Sequence, residues 1–385
     1  MKQQIPHHEQ VDESFEALSL PVHRASTIVF RSTREFLTRK SRLYDGYAYG
    51  LYGTPTTREV ERRVAATEGG IRCLIVPSGL AAITLPVLAL TQSGDELLVA
   101  DCAYGPTREF CNSHASRFGI RANFVAADAA ELAPYTRGNT RLVLLESPGS
   151  YTMEIQEIAK ICEQAHAIGA LVLCDNTWGF GSSCLFDHGV DIVSTALSKY
   201  AAGHSDVCMG SITVRDESLY RSLKDSITCL GVGVSSDDAY LVARGLDSLN
   251  VRLDEHSRRA LDVSRWLRQQ PGIQAVMYPA DPDDDQYARY RRYFRRGNGL
   301  LSFVPCNQNL QDLERALDSL KLFRLGASWG GTNSLVAINR LGPARTVSRR
   351  FADNYILRLH IGLEAESAIR AELEVLITQL NQGGR

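Results

Sequence analysis

The chain has 385 residues, of which 44% are apolar and 22% charged, with a formal net charge of −2. That length exceeds what one compact core commonly covers, so a large unit plus a smaller one is expected. The charge balance gives no case for nucleic acid or an anionic membrane surface as a partner. The nine cysteines contain no CxxC pair, which removes zinc-ribbon and thioredoxin readings. Several sit in apolar runs as small core residues, so reduced thiols in a cytoplasmic protein are expected.

The N-terminal segment MKQQIPHHEQVDES carries no apolar signal stretch. His7 and His8 read as part of a tail rather than a metal site. Residues 1–55 are loop-rich, with Tyr44, Tyr47, Tyr49 and Tyr52 crowded together. From residue 56 the pattern alternates. TTREVERRVAATEG reads as a helix stopped by Gly69 and Gly70, and CLIVPSG as a strand and turn. GLAAITLPVLALTQSG is a helix whose apolar core is too short to cross a bilayer. DELLVAD, ANFVAAD, RLVLLESPG, LVLCDNTW and DIVSTALS read as strands; TREFCNSHASRFG and EIQEIAKICEQAHAIG read as helices. Strands alternating with helices predict a mostly parallel sheet covered on both faces, with ligands at the carboxyl ends of its strands.

Near residue 250 the pattern changes. LVARGLDSLNVRLDEHSRRALDVSRWLRQQ reads as a long, broken helix. GIQAVMYP, NGLLSFVP, LFRLGAS, SLVAINR and NYILRLHIG then read as strands, with QDLERALDSL and SAIRAELEVLITQL as helices. This predicts a smaller α+β domain. The acidic run Asp281–Asp285 and the basic cluster Arg289, Arg291, Arg292, Arg295 and Arg296 read as a solvated loop and helix face.

The chemistry collects at predicted strand ends. PSGLAAI ends a strand and opens a helix, so Gly79 and the free N–H groups beyond it suit a phosphate. Asp175 ends LVLCD. Lys199 follows DIVSTALS, where a buried lysine is costly unless paired or used. Glu146, Ser147 and Ser150 end another strand, and Tyr104 lies in the loop after DELLVAD. A phosphate nest, a lone acid, an amine and an aromatic ring at one sheet edge are what pyridoxal phosphate needs: donors for its phosphate, an acid for its ring nitrogen, a lysine for its aldehyde and a cover for its ring.

LPVHRASTIVF, YGTPTTREVE, PSGLAAI, ESPGSYTMEI, DNTW, SKYAAGHSD, RGLDSLNVRL and LRLHIGLE resemble, in order, segments of the Cys/Met-metabolism family of pyridoxal-phosphate-dependent enzymes. AYGPTREFC, ESPGSYTMEI and SWGG most resemble bacterial cystathionine β-lyases. The resemblance implies the fold-type I architecture: a mostly parallel sheet in a large α/β domain over 56–250, a smaller α+β domain over 251–385, and an arm over 1–55 that serves the neighbouring subunit. It implies Lys199 as the Schiff-base lysine and later proton carrier, Asp175 at the ring nitrogen, and Tyr104 stacked on the ring. Gly79, Leu80 and Ser198 would hold the phosphate. Arg358 would clamp the substrate carboxylate, with Ser328, Trp329 and Ser147 beside the substrate. Tyr49 would reach in from a neighbour, in a homo-oligomer that is typically a tetramer of dimers. The implied activity is β-elimination of L-cystathionine or a related cysteine S-conjugate to a thiol, pyruvate and ammonia.

Three positions depart from the pattern. The family's YxYxR appears as YAYGL, so a phosphate-binding arginine is replaced by Leu51, at a cost of about 1.5–3 kcal/mol of cofactor affinity. Ala327 stands where β-lyases commonly have tyrosine, and Asn333 where an acid is common. These changes motivate γ-elimination or γ-replacement on an unusual amino acid as the alternative. A non-catalytic protein on the same fold is a further one. GASWG matches a nucleophile elbow around Ser328, but a loop and strand follow where a helix is required. GHSD places neighbours in sequence, which rarely form a triad in space; His204 is expected to order its loop. GFGSSC lacks the third glycine of a dinucleotide fingerprint.

Overall fold

The computed structural model describes residues 17–342 and 345–382. Seven strands form the larger sheet: β1 (Arg72–Val76), β2 (Glu96–Ala100), β3 (Arg121–Val125), β4 (Thr140–Glu146), β5 (Leu171–Asp175), β6 (Ile192–Thr195) and β7 (Gly210–Val214). Their order is β1-β7-β6-β5-β4-β2-β3. β7 runs antiparallel to both β1 and β6, and the other pairings are parallel. The carboxyl ends of β1, β2, β4, β5 and β6 therefore share one edge. Most of these strands are buried, as expected for a sheet with helices on both faces, and so read as apolar runs.

The helix Gly79–Leu90 tolerates Pro86 for a local reason. Proline has no N–H, so the carbonyl of Ala82, four residues back, loses its helical donor. The Ser194 hydroxyl of β6 donates to that carbonyl instead, at 2.6 Å, and ties the helix to the sheet.

The second sheet holds β8 (Ile273–Met277), β9 (Leu300–Pro305), β10 (Arg324–Leu325), β11 (Leu335–Arg340) and β12 (Tyr355–His360), in the order β10-β11-β12-β9-β8. It is antiparallel except for the short β10–β11 pair. The long helical stretch is broken at Ser248, between the helices Ser236–Asp247 and Leu249–Arg268. One apolar cluster joins Leu98, Val143 and Val172 of the first sheet to Leu301, Phe303 and Leu357 of the second, so both units pack on a shared core.

The structure corrects one surface expectation. Asp281 is fully buried and Asp284 nearly so. Asp281 accepts from Ser264 Oγ at 2.7 Å and from Arg268 Nε at 3.2 Å, while Asp284 pairs with Arg268 at 3.3 Å. A buried carboxylate is tolerated once a guanidinium and hydroxyl satisfy it, so this run is partly core rather than a solvated loop. Among the described residues no helix is long and apolar enough to cross a membrane.

Candidate active site

The shared strand edge opens onto a cavity of about 440 Å³. At its floor, Ser78 caps the helix Gly79–Leu90 by accepting from Ala81 N at 3.1 Å. The N–H groups of Gly79 and Leu80 precede the first intrahelical bond and face outward for an anion. A side chain at Gly79 would place its Cβ 2.4 Å from Ala196 Cβ, and one at Gly210 would lie 2.2 Å from the Ser78 carbonyl. Glycine is required at both positions for the helix start, the β6 exit and the β7 entry to meet. Ser198 Oγ accepts from Met209 N at 2.9 Å and donates to Met209 O at 3.1 Å, which closes the loop carrying Lys199.

Asp175 and Glu146 end adjacent strands and stand opposite each other in register. Asp175 Oδ1 accepts from Thr177 N at 2.9 Å and from Thr177 Oγ1 at 2.5 Å. Thr177 Oγ1 in turn accepts from Ala196 N at 2.9 Å, which ties the ends of β5 and β6 together. Glu146 accepts from Tyr104 N and from Ser150 Oγ, each at 2.6 Å. Burial raises the proton affinity of both carboxyls. Glu146, with the Asp175 charge beside it, is pushed up to about 8. Burial thus acts on both carboxyls in the same direction, and the Thr177 bonds oppose it at Asp175.

The opposite wall comes from β12 and the loop between β10 and β11. Lys199 Nζ donates to Ser328 Oγ at 2.6 Å and lies 5.5 Å from the Trp329 ring centroid. Burial, and then the Arg358 charge, lower the Lys199 amine to about 8. Arg358, buried on β12, donates to the Ala327 carbonyl at 2.9 Å and lies 4.5 Å from the Tyr151 ring centroid. Gly330 has φ +91°, and a Cβ there would sit 2.8–2.9 Å from backbone atoms of Lys199 and Tyr200. Gly331 O accepts from His360 Nε2 at 2.8 Å. The Ser328–Gly331 loop is thus pressed onto the Lys199 backbone from one side and held from β12 on the other.

Gly79, Leu80, Tyr104, Asp175, Ser198, Lys199, Ser328, Trp329 and Arg358 all line this cavity. Ser147 does not: it is buried beneath the strand end, where its Oγ accepts from Gln156 N at 3.2 Å. Tyr49 lies outside the cavity, 41% exposed and packed edge-on against Tyr52. Ala327 lines the cavity, whereas Asn333 is exposed and does not. His204 Nδ1 bonds its own loop at Ala202 O, and His7 and His8 lie outside the described residues. β11 follows the GASWG segment, so Ser328 does not sit at a nucleophile elbow. Sequence reasoning passed over Thr177, Tyr151, Trp178 and Cys208. A threonine two residues after a strand-end aspartate was the available signal for Thr177, since that spacing favours such a bond.

The donor set fits pyridoxal phosphate. The glycine-built helix start would hold its phosphate, Asp175 its ring nitrogen, Lys199 its aldehyde carbon and Tyr104 a ring face. Comparison with known proteins agrees. Residues 2–377 match the family described as Cys/Met metabolism PLP-dependent enzyme. The chain is 36% identical to a cystathionine beta-lyase of Bordetella avium over 361 residues, covering 92% of this chain and 91% of that one. It is 32% identical to an L-alanine/L-glutamate racemase of Wolbachia pipientis over 379 residues, covering 94% and 93%. A solved structure from Campylobacter jejuni that carries N'-pyridoxyl-lysine-5'-monophosphate superposes with a TM-score of 0.85 at 25% identity, covering 94% and 96%. The chain is a pyridoxal-phosphate-dependent enzyme of fold type I and belongs to the Cys/Met-metabolism family.

Proposed function

We propose that this enzyme cleaves a carbon–sulfur bond by β-elimination, acting on L-cystathionine or a related cysteine S-conjugate. The observation that carries the reading is the pairing across the Ala327–Ser328 segment. The Lys199 amine bonds Ser328 Oγ at 2.6 Å, and the Arg358 guanidinium bonds the adjacent Ala327 carbonyl at 2.9 Å. The amine and the guanidinium thus flank one short stretch, which supports a base and a carboxylate clamp acting on one amino acid.

Bound pyridoxal phosphate supplies the electron sink that lets a proton leave Cα. Arg358 holds the substrate carboxylate with its fork. Lys199 Nζ takes the α-proton; an amine lowered to about 8 keeps a usable neutral fraction near pH 7. The Cβ–S bond breaks with its electron pair on sulfur, and Lys199 returns the proton to the leaving thiolate. The three-carbon enamine left behind takes up water and yields pyruvate and ammonia. Asp175 would pair with the ring nitrogen, and Tyr104 would cover the ring. Tyr49, exposed and outside its own cavity, supports a role in a neighbour's site and hence a homo-oligomer, in the family's manner a cytoplasmic tetramer.

γ-Elimination or γ-replacement is the second reading. It is favoured by Ala327, which lines the cavity where related β-lyases commonly carry tyrosine. A product assay separates the two. Purified enzyme loaded with pyridoxal phosphate is given L-cystathionine, and the keto acid is identified by mass. Pyruvate with homocysteine is expected. 2-Oxobutyrate with cysteine would move the assignment to Cγ. No keto acid, with interconversion of L- and D-alanine instead, would place the activity with the racemase relative.

A further inference from the structure

A third carboxyl, besides Asp175 and Glu146, lies behind the strand ends, and the reaction described above makes no use of it. Glu68 is the last residue of the helix Pro55–Glu68 and is 2% exposed. Its Oε1 accepts from Thr195 Oγ1 at 2.5 Å and from Asn176 Nδ2 at 3.3 Å. Neither partner is a cation. Its Oε2 is buried with no partner, as is the Thr213 hydroxyl of β7. The helix dipole adds to the cost, because its negative end lies at Glu68. An ionised carboxylate is disfavoured in such a place; a protonated one, whose Oε2–H has a hydroxyl available in Thr213, is held more easily. Burial pushes Glu68 up to about 7 accordingly.

The local backbone is built to admit this side chain. Gly69 caps the helix at φ +74°, and a Cβ at Gly70 would sit 2.3 Å from Thr213 Cγ2. The Glu68–Gly69–Gly70 turn thus lets the helix end close onto β7. Asn176 directly follows Asp175, and its N–H donates to Ser194 O at 2.8 Å. Thr195 directly precedes Ala196, whose N–H holds Thr177 against Asp175. One oxygen of Glu68 therefore grips β5 just after Asp175 and β6 just before the Lys199 turn.

We propose that Glu68 is a positioning residue: a neutral, proton-bearing strut that joins Asn176 and Thr195 and thereby fixes the orientation of Asp175 toward the cofactor's ring nitrogen. The inference rests on that role for Asp175. Glutamine at 68 keeps the accepting oxygen and adds an N–H toward Thr213, so it reproduces the strut; leucine removes it.

The test uses cofactor-loaded Glu68→Gln, Glu68→Leu, Thr195→Val and Asp175→Asn. The main readout is the pH midpoint of the cofactor's visible absorbance band, which needs no substrate. Glu68→Leu is expected to move the midpoint by about 0.5 unit or more, in the same direction as Asp175→Asn, and to lower kcat about tenfold or more with KM little changed. Thr195→Val, which keeps side-chain shape, is expected to give a smaller shift in that direction and serves alone should the leucine variant fail to fold. Glu68→Gln is expected to leave the midpoint in place and kcat within about threefold. A midpoint unmoved in both Glu68→Leu and Thr195→Val, while Asp175→Asn moves it, overturns the role of Glu68. Glutamine behaving like leucine overturns the neutral strut. A midpoint unmoved in Asp175→Asn overturns the assignment of Asp175 and this inference with it.

Discussion

Gly330→Ala is the most exacting probe of how Lys199 is held. Gly330 has φ +91°, and a Cβ there would sit 2.8 Å from Tyr200 N and 2.9 Å from both Lys199 C and Lys199 Cα. All three are backbone atoms, so no flexible side chain can yield. The left-handed backbone costs a non-glycine residue about 1–2 kcal/mol. Forcing the contact apart by about 0.5 Å adds about 1–3 kcal/mol of overpacking. The strain falls between Lys199 and the loop carrying Ser328, so the 2.6 Å bond from Lys199 Nζ to Ser328 Oγ is the first to lengthen. Displacement of that order at a reacting group lowers kcat/KM by about 10- to 100-fold. Gly94→Ala is the control, with φ +96° and nothing within 4 Å of the new Cβ; it carries the backbone cost alone. Steady-state kinetics and the cofactor absorbance spectrum would be recorded for both. Wild-type kcat/KM and spectrum in Gly330→Ala, or equal loss in Gly94→Ala, would refute the argument.

Arg358→Ala removes a charged clamp worth about 1.5–3 kcal/mol and should raise KM about 10- to 100-fold; a fall confined to kcat would show that Arg358 is not a simple carboxylate holder. Glu146 is raised from 4.5 to about 8, so across that window the folded protein keeps a proton that the unfolded chain releases, and stability falls as pH rises. Thermal unfolding of Glu146→Gln should lose that slope, and an unchanged slope would remove Glu146 as its source. His256 is held down from 6.5 to about 4 and His360 to about 3, chiefly by burial, so both stay neutral in the fold while the unfolded chain gains protons below pH 6.5. Stability should be lost as pH falls from 6.5 toward 4, by ~3 kcal/mol per histidine, and His256→Gln should flatten that acid limb in unfolding experiments; an acid limb as steep as in the unmodified enzyme counts against it.

Much of the architecture was legible because a sheet buried on both faces imposes a local signature. β1, β2, β4, β5 and β6 each read as an apolar run bounded by turn residues. β7, GSITV, escaped because nothing local says that a short run will insert antiparallel between β1 and β6. The helix Glu217–Cys229 after it was likewise unanticipated. The missed strand matters to the site, since its entry brings Gly210 against Ser78 and Met209 against Ser198. The acidic run misled for the opposite reason: Asp281 is polar in sequence, yet Arg268 and Ser264 satisfy it inside the core.

The sequence by itself determined which chemistry was available and at which turns. Lys199 and Asp175 are each a residue whose type at a strand end is hard to explain by packing alone; Gly79 marked a close backbone approach, and Arg358 was readable only through the family resemblance. Tertiary structure alone decided which of these meet and in what protonation state. The fold brings Ser328 to Lys199 across 129 residues, sets Glu146 beside Asp175, buries Ser147 away from the cavity, and closes Glu68 behind Asn176. The physical reason is one of range. Backbone periodicity and turn chemistry act over a few residues and are written locally. Proton affinities and hydrogen-bond partners depend on burial and on neighbouring charges, which exist only once distant segments have packed.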